Sequence, residues 1–408
     1  MFLKKLKLVN YRNYLDFEGK FDHLKTIIIG QNAQGKTNIL EAINILATAH
    51  SNRAERDNDL VYWNKEHALI FATVQTQNSN LEIALQINTT GRRKLKINDV
   101  PKKAPQADLL GNFFAVMFSC EDMYLIKGSP SIRRNWIDSV LFQLDSKYHR
   151  LTQDYQKSTT QKNSLLKQSF ESGLSRKALK EQVEIWNNQI INSGSEILAT
   201  RLKFLEDIRP ITRDFQKNIS KQNENLDLIY KSTVQLPDCV IARSFSDEAI
   251  SQKQYRSNEI ASPSVRNDKE TLKSRFKKAL DESFEAELAR GQSLIGPHRD
   301  DLLFLINDKE AKSFASQGQQ RSIVLALKLA ELKIIEKRRG EIPVLLLDDV
   351  FAELDESRQD FLLHNLPKDI QTFLTTTHLS GIQKEFLRGA QILEIRNGQL
   401  VESAECGV

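Results

Sequence analysis

Cysteine is scarce in this 408-residue chain, and its three cysteines, Cys120, Cys239 and Cys406, lie far apart. Their number is odd, and no pair has the spacing of metal ligands. The pattern argues against a disulfide framework and against a zinc site. We therefore expect three reduced thiols with structural roles.

Long apolar runs are also missing. A helix that crosses a bilayer needs about 20 mostly apolar residues in succession, and the sequence contains no such run. The segment from Met1 to Lys7 alternates apolar with basic side chains, which predicts a strand rather than a secretory signal. These absences predict a cytoplasmic protein that has no membrane partner.

Positive charge is in modest excess, but it is unevenly distributed. The net charge is +5, whereas residues 126–180 alone hold eleven basic and four acidic residues, a local net charge of +7. Hydrophobic residues make up 40% of the chain, enough for a packed core. The sequence thus predicts a folded protein whose positive surface, suited to nucleic acid, lies in one segment.

Apolar spacing divides the chain into three parts. Residues 1–125 and 291–408 alternate strand-like and helix-like patterns, whereas residues 126–290 repeat apolar side chains at three- and four-residue steps. Within 131–235 the only proline is Pro210. Polar residues from Ser251 to Lys269 predict a linker. We predict an α/β domain made of both chain ends, with a helical arm inserted between them.

One segment fits the phosphate-loop pattern at every fixed position, with a predicted strand before it and a helix after it. Its glycines let backbone N–H groups face the phosphates, Lys36 would reach the β- and γ-phosphates, and Thr37 would bind Mg²⁺. The predicted ATP-binding residues of this loop are Gly30, Gln31, Asn32, Ala33, Gln34, Gly35, Lys36 and Thr37.

An apolar strand, Val344 to Leu347, ends in Asp348 and Asp349. In α/β sheets the carboxyl ends of parallel strands meet at the ligand-binding edge. We expect Asp348 to hold Mg²⁺ and Asp349 to orient and deprotonate the attacking water.

A third segment is similar to the signature motif of ABC-type ATPases: Ser316, Gln317, Gly318, Gln319, Gln320 and Arg321. A serine, a glycine and a helix N-terminus form a second surface for phosphate. The resemblance implies that Ser316 to Gln319 grip ATP bound to a partner's loop, which makes the protein an ATP-dependent homodimer. It also implies a D-loop from Phe351 to Asp355, a γ-phosphate sensor at His378 and a phosphate contact from Arg12.

Seven segments together resemble the RecF family of bacterial recombination and gap-repair proteins: Leu3–Tyr14, Gly35–Ile43, Phe118–Asp122, Ile126–Pro130, Arg133–Asp138, Ile295–Leu302 and Leu345–Asp355. The second segment adds Asn38 to the expected nucleotide contacts. Thr37 and Ser316 are 279 positions apart, and the insert lacks the sustained heptads of a long SMC coiled coil. The resemblance implies an ABC/SMC-type ATPase head, with mixed sheets, flanking helices and the inserted arm.

The same resemblance implies a function. RecF proteins are weak ATPases that dimerise on MgATP, prefer junctions of single- and double-stranded DNA, and work with RecR and RecO to load recombinase on gaps. A role in the response to DNA damage, including the SOS response, follows from it. From the basic segment we add four candidate contacts to the DNA backbone: Arg133, Arg134, Lys147 and Arg150.

Three departures and three alternatives complete the interpretation. Cys120 and Glu121 stand where the resemblance calls for proline and for a Q-loop glutamine, and the signature lacks the leucine and double glycine of transporters, so we expect slow hydrolysis. A transport-type ABC subunit would not carry an insert of this size, and a nuclease-coupled ATPase would need a further cluster of acids. An ATP-binding scaffold without turnover remains open.

Overall fold

The computed structural model describes residues 1–77, 79–168, 175–236 and 269–405. Cys239, Cys406 and the predicted linker, except its last residue Lys269, lie outside these ranges. The chain forms two compact units. Unit 1 comprises Met1–Met123, Phe142–Ser146 and Arg321–Val408, and unit 2 comprises Tyr124–Leu141 and Lys147–Gln320.

The strands are numbered in chain order: β1 Phe2–Tyr11, β2 Tyr14–Lys20, β3 Lys25–Ile29, β4 His67–Gln75, β5 Asn80–Asn88, β6 Arg93–Ile97, β7 Val100–Lys102, β8 Ala115–Ser119, β9 Leu226–Lys231, β10 Asp301–Ile306, β11 Lys309–Glu310, β12 Val344–Asp348, β13 Thr372–Thr376, β14 Ala390–Arg396 and β15 Gln399–Glu405.

The helices follow the same order: α1 Lys36–Thr48, α2 Pro105–Leu109, α3 Tyr124–Lys127, α4 Pro130–Leu144, α5 Ser146–Gln168, α6 Arg176–Ile219, α7 Lys269–Arg290, α8 Ala311–Phe314, α9 Gln317–Arg339, α10 Glu356–His364 and α11 Lys384–Leu387.

The first sheet of unit 1 is mostly parallel and has the strand order β15-β14-β3-β13-β12-β8. Only β15 runs antiparallel to its neighbour. Its central strands are continuous apolar runs, as expected for strands that are covered on both faces. Ile27, Ile28, Leu346 and Phe373 are completely buried. Helix α1 packs against β8, β12 and β13, so the carboxyl ends of these strands lie beside the start of α1.

The second sheet of unit 1 is antiparallel, in the order β2-β1-β4-β5-β6-β7. Alternate residues face its core: Leu6 and Leu8 of β1 and Ile83 and Leu85 of β5 have no exposed surface. The strand predicted at the start of the chain is thus confirmed. Asn98 and Asp99 both have positive φ, at 51° and 61°. This is the geometry of a two-residue hairpin turn between β6 and β7.

Unit 2 is built around α6, a helix of 44 residues that contains Pro210. Helix α7 and strand β9 pack against it, and β9 forms a sheet in the order β11-β10-β9. The structure therefore adds a small antiparallel sheet to an arm that the sequence predicted to be helical.

Unit 2 differs from the predicted arm of residues 126–290 at its C-terminal limit and in one internal segment. It extends to Gln320 because β10 pairs with β9 along its whole length. Residues Phe142–Ser146 belong instead to unit 1, where the Gln143 side chain accepts a hydrogen bond from the Ala115 backbone N–H. No helix within the described ranges has the length and apolarity needed to cross a membrane.

Candidate nucleotide site

The turn between β3 and α1 has the backbone geometry that a phosphate requires. Ala33 and Gly35 are left-handed, with φ of 64° and 108°, and Gly35 is the N-cap of α1. A Cβ atom on Gly35 would lie 2.6 Å from the Asn13 amide nitrogen and 2.7 Å from the Tyr14 hydroxyl, so a side chain does not fit there. Asn32 to Asn38 line a cavity of ≈ 400 Å³ at the N-terminus of α1, a place that favours anions.

Lys36 is held over this loop by backbone carbonyls. Its Nζ donates to the Gly30 oxygen at 2.6 Å and to the Gln31 oxygen at 2.9 Å. Burial lowers the pKa of Lys36, and the negative charges of Asp349 and Asp348 oppose that shift. An ammonium group has three donors, so one N–H remains for a phosphate oxygen.

Beneath the loop, two hydroxyl side chains converge on one carboxylate. The Thr37 hydroxyl donates to Asp348 Oδ1 at 2.9 Å, and the Thr375 hydroxyl donates to the same oxygen at 2.7 Å. Hydroxyl and carboxylate oxygens suit Mg²⁺, so the donor set fits this cation. The sequence predicted Thr37 and Asp348, and the structure brings them together; it missed Thr375, which lies opposite Asp348 in the β13–β12 pair.

Asp349 follows β12 in a left-handed conformation, with φ of 55°. Its backbone N–H donates to the Thr375 hydroxyl at 3.0 Å, and its side chain lines the cavity. The carboxylate thus lies at the mouth of the phosphate loop, where the sequence predicted a base.

Cys120 and Glu121 line the same cavity. The Cys120 thiol lies 3.9 Å from the Asp348 carbonyl oxygen and 3.8 Å from that of Asp349. Burial, together with nearby carboxylates, raises the pKa of Cys120 to about 11. The raised pKa favours the protonated thiol at neutral pH. Glu121 is exposed, and its Q-loop role stays a prediction.

Arg12 does not line the cavity. Its Nε and Nη2 donate to the two Glu41 oxygens at 2.8 and 2.6 Å, and its Nη1 donates to the Asp59 carbonyl at 2.9 Å. Burial would raise the pKa of Glu41, but hydrogen bonds from Arg12 and Ser51 hold it below the usual value. In this structure Arg12 ties the β1–β2 turn to α1, and its phosphate contact stays a prediction.

Two further residues that line the cavity belong to no motif recognised in the sequence. Asn52 and Arg53 line the space above the phosphate loop, and Arg53 Nη1 donates to the Asn38 side-chain oxygen at 3.3 Å. Arg53 is exposed and brings a positive charge to a site suited to phosphates. The only sequence signal for it is its position shortly after α1.

The signature residues Ser316 to Gln320 lie in unit 2, where α9 begins. Ser316 Oγ accepts the Gln319 backbone N–H at 3.2 Å, and Gln319 Oε1 accepts the Ser316 backbone N–H at 2.8 Å. This reciprocal pair is a capping box. Ser316 and Gln317 are exposed, as a surface for another molecule requires.

Two D-loop side chains, Glu353 and Asp355, form hydrogen bonds within unit 1. Glu353 accepts a hydrogen bond from Arg321 at 2.7 Å, and Asp355 caps α10 by accepting the Arg358 backbone N–H. His378 follows β13 and is exposed, but it is not among the cavity residues. Its role as a γ-phosphate sensor stays a prediction.

The candidate DNA contacts separate into two groups. Arg133 is 4% exposed and makes a bidentate pair with Asp301 at 2.7 and 2.9 Å. Because its guanidinium is buried and occupied, the prediction for Arg133 is wrong. Arg134 is half-buried and donates to the Asp300 carbonyl at 2.7 Å. Lys147 and Arg150 are exposed on α5, separate from α4, which carries the two arginines.

Comparison with known proteins identifies the family of this chain. The profile of the RecF/RecN/SMC N-terminal domain matches residues 2–399. The DNA replication and repair protein RecF of Synechococcus sp. (strain JA-2-3B'a(2-13)) is 40% identical over 99% of this chain and 98% of its own length. That of Synechocystis sp. (strain ATCC 27184 / PCC 6803 / Kazusa) is 40% identical over 98% of both.

Solved structures give the same result. The recombination mediator protein RecF with ATP, of the RecFOR pathway, has a TM-score of 0.83 and 30% identity, covering 99% of this chain and 97% of that one. An Smc head domain from Pyrococcus furiosus, at 16% identity and a TM-score of 0.51, shares the fold. The chain belongs to the RecF family of DNA replication and repair proteins, which are ATP-binding ATPases of the SMC/ABC type.

Proposed function

We propose that two copies of this chain bind MgATP between them, hydrolyse it slowly and clamp DNA in the ATP-bound state. Membership of the RecF family excludes the transport alternative. The observation that carries the proposal is the convergence of Thr37 and Thr375 on Asp348 beneath a phosphate loop closed by Lys36. That arrangement is the floor of a MgATP site.

In this mechanism each residue has a distinct task. Lys36 and the N–H groups at the start of α1 bind the β- and γ-phosphates. Thr37 and Asp348 would hold Mg²⁺, which neutralises charge on the phosphate oxygens. Asp349 orients the water and accepts its proton, and the partner's Ser316 completes the site at the γ-phosphate.

The structure supports a shared site in one specific way. The capping box leaves Ser316 exposed at a helix N-terminus, which carries positive potential. An exposed phosphate-binding surface of this kind is suited to a nucleotide held by another copy. ATP then stabilises the dimer, and its hydrolysis weakens the contact.

For DNA we propose junctions of single and double strands as the preferred substrate, and RecR- and RecO-type proteins as partners in loading recombinase. Solved RecF structures of the RecFOR pathway support the choice of partners. Exposed Lys147 and Arg150 on α5 are the retained candidates for backbone contacts. A protein that acts on replicating bacterial DNA would work in the cytoplasm.

The first test is the mass of the protein by light scattering after size-exclusion chromatography. We expect MgATP to convert wild type from monomer to dimer, and Asp349→Asn to remain dimeric because it binds ATP without hydrolysing it. An unchanged mass with ATP in both proteins would overturn the shared site. A single-turnover assay distinguishes the ATPase, which releases phosphate from bound ATP, from a scaffold without turnover, which releases none.

The DNA surface is tested by salt dependence. The double variant Lys147→Glu, Arg150→Glu should lower the slope of log K against log salt by about 2, one for each lost phosphate contact. The matched control reverses two exposed lysines elsewhere, Lys4→Glu and Lys368→Glu, and should leave the slope unchanged. Equal slopes for both variants would remove α5 from the DNA interface.

A further inference from the structure

Both polar atoms of the Gln319 side chain, in the signature, form hydrogen bonds. Its Oε1 accepts the Ser316 backbone N–H at 2.8 Å, and its Nε2 donates to Glu224 Oε1 at 3.0 Å. A glutamine that only capped the helix would need the first bond alone. The second bond joins the start of α9 to the turn that follows α6, within unit 2.

Glu224 is shared between the signature and the interior of the arm. Its Oε2 accepts a hydrogen bond from Gln216 Nε2 at 2.6 Å. Gln216 lies in the last turns of α6 and has no exposed surface. One carboxylate therefore bridges a buried amide of the arm helix and the amide that orients Ser316.

The turn that carries Glu224 is itself well ordered by hydrogen bonds. Lys221 and Gln222 are left-handed, with φ of 53° and 68°, and the Gln222 N–H donates back to the Lys217 carbonyl at 2.7 Å. The Glu224 N–H donates to Ser220 Oγ at 3.1 Å. Two consecutive non-glycine residues in this conformation are unusual, and they direct the chain from α6 back toward β9.

We propose that Glu224 is a positioning residue for the signature motif. It orients Ser316 through Gln319 and thereby connects the end of α6 to the ATP-dependent dimer contact. The inference rests on the proposed shared site, because Ser316 acts there on the partner's ATP. A displacement of α6 would move Glu224, release Gln319 and change the geometry of the hydroxyl. The arm helix would thus be coupled to ATP sensing through one side chain.

The first experiment compares Glu224→Ala with Glu224→Gln. Alanine removes both acceptors, whereas glutamine keeps an acceptor for Gln319. After a flip of the Gln216 amide it can also donate to Gln216 Oε1, which has no hydrogen-bond partner among the described residues. We expect Glu224→Ala to lower kcat and to raise the dimer dissociation constant by about tenfold, as for other supporting residues. Glu224→Gln should retain most of both.

Two readouts separate positioning from general damage. The affinity of the monomer for ATP should be unchanged in Glu224→Ala, because the signature that Glu224 positions acts on the partner's nucleotide and not on the one bound by its own protomer. The control Glu184→Ala, at an exposed glutamate of α6, should behave as wild type. Loss of monomer ATP affinity in Glu224→Ala, or equal loss of activity in Glu224→Gln, would overturn the positioning role.

Mixed dimers provide the decisive test. Lys36→Ala protomers keep an intact signature, and Glu224→Ala protomers keep an intact phosphate loop. In the mixed dimer these two elements meet in one intact site. Mixing them should restore about a quarter of the wild-type rate, since half of randomly assorted dimers are mixed and each has one working site. Ser316→Arg mixed with Lys36→Ala is the matched positive control.

The outcomes are distinct. Restoration in both mixtures supports the inference. Restoration with Ser316→Arg but not with Glu224→Ala would keep the shared site and overturn the role of Glu224. Failure of both mixtures would overturn the shared-site mechanism itself, and the inference with it.

Discussion

Replacing Thr375 by valine tests the residue that the sequence motifs did not identify. Thr375 is 1% exposed, donates to Asp348 Oδ1 at 2.7 Å and accepts the Asp349 N–H at 3.0 Å. Valine has nearly the same shape but neither polar function. The substitution therefore removes two hydrogen bonds at the floor of the site while leaving the packing of β13 intact.

The expected magnitude follows from these two bonds. A hydrogen bond to a charged acceptor contributes about 1.5–3 kcal/mol, and a buried N–H left without an acceptor costs about 1–3 kcal/mol. We expect the free energy of unfolding to fall by about 3 kcal/mol. Asp348 would also lose part of its orientation, so the Mg²⁺ concentration for half-maximal ATPase activity should rise about tenfold or more.

Thr26→Val is the matched control on the neighbouring strand β3. Thr26 is completely buried, and its hydroxyl has no hydrogen-bond partner among the described residues. The same substitution there removes an unsatisfied polar group, so stability should be unchanged or rise by about 1 kcal/mol. Mg²⁺ dependence should be unaffected, because Thr26 lies at the opposite end of its strand from the phosphate loop.

The assays are chemical denaturation and Mg²⁺ titration of ATPase activity for Thr375→Val, Thr375→Ser and Thr26→Val. Serine keeps the hydroxyl and should restore the Mg²⁺ response. If Thr375→Val and Thr26→Val had equal stability and equal Mg²⁺ dependence, the hydroxyl would not support Asp348, and the reasoning would be refuted.

Three further predictions follow from single contacts. Gly35→Ala should abolish ATP binding measured by calorimetry, because the new Cβ would lie 2.6 Å from the Asn13 amide; retained affinity would contradict this. Arg133→Ala leaves Asp301 without its partner and should lower stability by about 3 kcal/mol without changing the salt slope of DNA binding, whereas a lower slope would restore Arg133 as a DNA contact. Burial lowers the pKa of His298 to about 4 from 6.5, so protons bind preferentially to the unfolded chain between these values. Stability should fall by about 3 kcal/mol as pH drops from 6.5 to 4, and His298→Gln should lose correspondingly less; parallel curves would contradict the assignment.

Motifs with fixed spacing predicted the parts of the site that lie on continuous segments. The phosphate loop needs glycine at Gly35 for its left-handed turn and a lysine at the start of α1, so chain-local geometry identifies both. The apolar run of β12 was predicted as a strand because two acidic residues mark its end, whereas the similar run of β8, Ala115 to Phe118, carries no such marker and was not predicted.

Contacts between segments that are distant in the sequence could not be predicted in the same way. Arg133 was assigned to DNA because it lies in a basic segment, but a partner 168 positions away, Asp301, buries its charge. Nothing within the helix α4 indicates that partner, since β10 enters the sequence much later. The exposed members of the same segment, Lys147 and Arg150, keep the role that charge alone suggested.

Strand order explains why Thr375 belongs to the site. Strand β13 lies between β3, which precedes the phosphate loop, and β12, which ends in Asp348. Parallel pairing sets Asp348 level with Thr375 on one side and with Ser119 of β8 on the other. Three oxygen-bearing side chains therefore form one row at the carboxyl edge of the sheet, where ligands bind in such folds. Because β13 separates β3 from β12, the residue at its carboxyl end lies between the phosphate loop and the acidic strand. Thr37 reaches Asp348 from the loop, and Thr375 contacts the same oxygen from β13. A short hydroxyl side chain at this position supports the carboxylate without adding a second negative charge beside the phosphates.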